Sequence, residues 1–115
     1  MNEKMREVLI ETAREGKLIT YSELKSKCDL DLDFEQSKDR SILGDILGEI
    51  STAEVNQGRP MLSSVVTLKS QTPLSASYGF FTLARNLQLL DSTNKKEEYF
   101  FWIETLKKVY EEWKK

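Results

Sequence analysis

The chain has 115 residues, 39% of them apolar and 31% charged, with a formal net charge of −2; this is ordinary globular usage and enough chain for one domain, 1–115, with a modest core. A single cysteine, Cys28, excludes an internal disulfide, and the absence of histidine removes the commonest acid–base side chain near neutral pH and the commonest metal ligand. No apolar run approaches a membrane span, and Met1-Asn2-Glu3-Lys4 lacks the charged-then-apolar order of a signal peptide, so the expected location is cytoplasmic.

Asn2 is placed to cap a first helix, in which Met5, Val8, Leu9 and Thr12 recur at helical spacing. Gly16 is its natural stop, because glycine takes a left-handed cap at little cost. Leu18-Ile19-Thr20 is a short β-prone run. Thr20-Tyr21-Ser22-Glu23 has the form of a capping box and predicts a second helix through Lys27, with Leu24 and Cys28 on its inner face. An acidic connector fills 29–36. A long helix follows, beginning between Ser37 and Asp39. Its apolar stripe is Ile42, Leu43, Ile46, Leu47 and Ile50, and Gly58 and Pro60 mark its end. Gly44 and Gly48 each weaken this helix by about 1 kcal/mol relative to alanine, which close approach of another backbone would offset.

Positions 61–68 alternate and are β-branched near the end, predicting a strand; 69–73 reads as a turn and 75–78 as a short return strand. Gly79 leads into a helix with Phe80, Leu83, Ala84 and Leu87 inward. Asn94-Lys95-Lys96-Glu97 is a second capping-box sequence, opening a last helix whose stripe is Tyr99, Trp102, Leu106, Val109 and Trp113. Phe100 and Phe101 lie off that stripe. They widen the apolar face, as in a helix sandwiched between layers or one that helps form a dimer.

The predicted fold class is α+β. The order of elements is that of a winged-helix-like helix-turn-helix with a small antiparallel β element, over 16–79, followed by two additional C-terminal helices in 80–115. The loop 69–75 would be the wing.

At this point the residues resemble a family. Gly16-Lys17-Leu18-Ile19-Thr20-Tyr21-Ser22-Glu23-Leu24 looks like the opening of the DNA-binding domain of alkylguanine-DNA alkyltransferases and alkyltransferase-like proteins. Arg40-Ser41-Ile42-Leu43-Gly44 is similar to their recognition-helix motif, whose arginine inserts into the base stack. Ser63-Ser64-Val65-Val66 stands where they have His-Arg-Val-Val. The chain departs from the family where its chemistry sits: the alkyl-accepting cysteine falls on Leu62 and the histidine on Ser63. The acidic connector is an insertion relative to the family. The resemblance implies DNA binding without alkyl transfer, through Thr20, Tyr21 and Arg40, with Lys69 on the wing.

Charge points elsewhere. Between positions 29 and 54 eight acidic residues face two basic ones, a local charge of −6, whereas 69–96 carries +3. The outer face of the third helix is expected to carry Ser41, Asp45, Glu49 and Thr52. Carboxylates there repel a duplex, because neutralising phosphates supplies most non-specific affinity. Arg40 also suits a structural pairing with Asp39 or Glu35. Asp29, Asp31 and Asp33 alternate like a calcium loop, but Phe34 stands at its sixth position and Arg40 at its twelfth, where glycine and glutamate are required. Cys28 has no histidine partner and reads as a small buried hydrophobe. The expectation is therefore a non-catalytic adaptor or regulator, without cofactor, metal or small-molecule substrate. It would engage a protein partner, or itself, through Asp29, Asp31, Asp33, Asp45 and Glu49; DNA binding is the alternative.

Overall fold

In the computed structural model the described residues are 1–67 and 78–114, Tyr78 by its backbone alone. They form five α-helices and a two-stranded sheet. Helix α1 (Glu3–Arg14) starts where the Asn2 side chain accepts from the Met5 amide at 2.9 Å, satisfying an orphan donor of the first turn. It buries Met5, Leu9, Ile10, Thr12 and Ala13. Gly16, at φ +66°, turns the chain out of the helix in the left-handed region that favours glycine. Strand β1 (Ile19–Thr20) leads directly into α2 (Tyr21–Lys27). The capping box is complete: the Glu23 amide donates to Thr20 Oγ1 at 3.2 Å, and the Thr20 amide donates to the Glu23 carboxylate at 3.0 Å.

The acidic connector folds back on the core. Leu30, Leu32 and Phe34 pack against it half-buried, while Asp29, Asp31, Asp33 and Glu35 between them stay exposed. Phe34 meets the Tyr21 ring edge-on at 5.6 Å between centroids. The Glu35 amide donates to Asp33 Oδ1, and the Asp33 amide donates to Asp39 Oδ2. Helix α3 (Ser37–Asn56) then buries Leu43, Leu47, Ile50, Ser51 and Glu54. Ile46 is half-buried, and Ile42, expected on the stripe, is 45% exposed.

The largest correction follows α3. The strand expected over 61–68 is instead a 3-10 turn (Leu62–Val65) running into a two-residue strand β2 (Val66–Thr67). A strand would send every second side chain outward, but all of Met61 to Thr67 is buried, which suits a tight turn driven into the core. Ser51 Oγ donates to Ser63 Oγ at 2.7 Å and accepts from the Ser63 amide at 3.0 Å; Trp102 Nε1 donates to the Ser64 carbonyl at 2.7 Å. The Ser63 hydroxyl and amide and the Ser64 carbonyl thus meet partners on two helices, while the buried Ser64 hydroxyl takes no hydrogen bond from a described residue.

The small antiparallel element expected is not shown among the described residues; strands β1 and β2 pair in parallel, Ile19 with Val66 and Thr20 with Thr67. The reason is topological. Helices α2 and α3 lie between the strands, and this crossover brings the chain back in the same direction. Helix α4 (Tyr78–Asn86) begins at Tyr78, which was expected at the end of a return strand; the remainder of that strand and the wing lie outside the described residues. Asn94 caps α5 (Lys95–Trp113) by accepting from the Lys96 and Glu97 amides. Trp102, Leu106 and Val109 are buried, Phe101 packs against Phe80 at 5.9 Å between centroids, and Tyr99 and Phe100 are exposed.

Candidate functional groove

Beside α3 lies an open groove of about 620 Å³. Its α3 wall is Ser37, Arg40, Ser41, Gly44, Asp45 and Gly48, which fall on one side of successive turns. Phe80, Thr82 and Leu83 of α4 form the opposite wall, Tyr21 of α2 also lines the groove, and Leu47, Ser63 and Val66 complete the lining. Apolar surface with a few polar groups is the usual composition of a binding cleft.

The expected approach of another backbone to the two glycines is absent from the described fold. A Cβ on Gly44 would meet nothing within 4 Å, and one on Gly48 would meet only Leu83 Cδ2, at 3.8 Å. Gly44 therefore opens onto the groove and not onto a packed neighbour.

The structure divides the expected partner-binding carboxylates. Asp29, at φ +53°, is 3.6 Å from Lys4, and Glu49 is 3.0 Å from the amino group of Met1, whose pKa its carboxylate raises by hydrogen bonding and charge. Both pairs are exposed and contribute little to stability. Asp33 is spent on the connector, and Asp31 is exposed. Asp45 is exposed on the groove and takes no hydrogen bond or ion pair from any described residue.

Of the expected DNA-contacting residues, Tyr21 and Arg40 line this same groove. Thr20 is occupied in the capping box, and Lys69 lies outside the described residues. Arg40 donates through Nη1 to the Phe34 carbonyl, so its structural role is to pin the connector and not to pair with Asp39 or Glu35 as expected. Cys28 is buried, and burial pushes its thiol pKa up, away from the thiolate a nucleophile needs. Among the described residues no group of three or more histidine, cysteine, aspartate or glutamate side chains is placed to hold a metal ion, and no helix is long and apolar enough to cross a membrane.

Sequence reasoning missed one constellation. Glu54 is 1% exposed, and Arg6 Nε donates to its Oε1 at 2.6 Å while Arg59 Nε donates to Oε2. Both guanidinium groups lie over the Trp113 ring, at 5.6 and 5.9 Å from its centroid. A buried carboxylate held by two cations thus ties α1, α3, α5 and the segment after α3 together. A signal existed: Glu54 continues the spacing of Leu43, Leu47 and Ile50, so a carboxylate stands on the apolar stripe.

Comparison of the chain with family models, curated proteins and solved structures finds no match.

Proposed function

We propose that the chain is a non-catalytic binding module of winged-helix type, a small adaptor or regulator that engages a protein partner through the acidic face of α3 and the groove beside it. The observation that carries this reading is Asp45: a carboxylate without a partner among the described residues, on the lining of an open and largely apolar groove. A fold that pairs Glu54 with two arginines leaves this second charge on the same helix for something outside itself. The order helix, strand, helix, helix, strand, followed by α4 and α5, supports the winged-helix assignment.

The test is a photoreactive benzoylphenylalanine in place of Ser41, irradiated in the native cell. The expected product is a discrete protein adduct that disappears when Gly44→Leu fills the groove. Adducts to nucleic acid, or adducts indifferent to Gly44→Leu, overturn the reading.

A second reading, a DNA-binding protein resembling the alkyltransferase-like proteins, is favoured by one observation: Tyr21 and Arg40 share the groove. It is tested by titrating labelled duplex DNA at low and moderate salt. Non-specific binding near 10⁻⁴ to 10⁻⁶ M at physiological salt, roughly, and tighter below it, supports this reading. Affinity unchanged in Arg40→Ala removes it.

A further inference from the structure

We draw no further inference here: the strongest candidate outside the groove, the exposed aromatic pair Tyr99 and Phe100 on the first turns of α5, is an unpartnered apolar face, and nothing among the described residues shows what covers it.

Discussion

Two carboxylates on α3 have opposite surroundings. Glu54, near the C-terminal end, is 1% exposed and held by Arg6 and Arg59 beneath Trp113. Asp45, near the middle, lies exposed on a groove with no partner among the described residues. The first has lost its water, and two guanidinium groups take that water's place around its oxygens. The second has kept its water and costs the fold nothing. The C-terminal end of the helix holds the molecule together, and its middle faces the open groove.

The sharpest way to break this comparison is the double substitution Arg6→Ala and Arg59→Ala. It strands Glu54 as an uncompensated buried charge and should cost about 3–5 kcal/mol in urea unfolding. Replacing the carboxylate itself, Glu54→Gln, should cost less, because both arginines are partly exposed and can turn to solvent. Equal losses in the two variants would mean that the charge is not what holds this end. Next comes Trp102→Phe. It removes the donor to the buried Ser64 carbonyl and some volume, and should destabilise by about 2 kcal/mol, read from the shift of the unfolding midpoint at constant slope.

Along the groove the signs change. Gly44→Ala adds a methyl group where nothing lies within 4 Å and restores helix propensity. It should stabilise the chain by about 1 kcal/mol, a rise of roughly 4 °C in the thermal midpoint. A loss of stability there would show that Gly44 serves the fold. Asp45→Asn should change stability by less than about 0.5 kcal/mol, since it breaks no hydrogen bond or ion pair to a described residue. A larger destabilisation would mean that Asp45 has an intramolecular role, and the contrast with Glu54 would fail.

Much of the local structure is legible in the residues. Asn2, Thr20 with Glu23, and Asn94 announce three helix starts, and Gly16 announces one end, because each signal acts within a few residues of itself. The connector is legible only in its charge; that Leu30, Leu32 and Phe34 pack inward comes from the structure. The segment around Ser63 misleads for the opposite reason. Its β-branched pattern reads as a strand, but burial on every side overrides propensity and winds Leu62–Val65 into a turn.

The site was legible only in pieces. Tyr21, Arg40 and Asp45 could each be picked out by type and position, but they were assigned to rival functions, one basic and one acidic. That they line one groove depends on the packing of α2, α3 and α4.

The sequence alone therefore determined where most helices begin, which faces they bury and the uneven distribution of charge, since these follow from spacing and short-range hydrogen bonding. Only the tertiary structure decided that the strands run parallel, that Gly44 opens onto a groove and that Glu54 is clamped while Asp45 has no partner among the described residues. Those facts depend on groups far apart in the chain meeting, or failing to meet, and no local pattern specifies that.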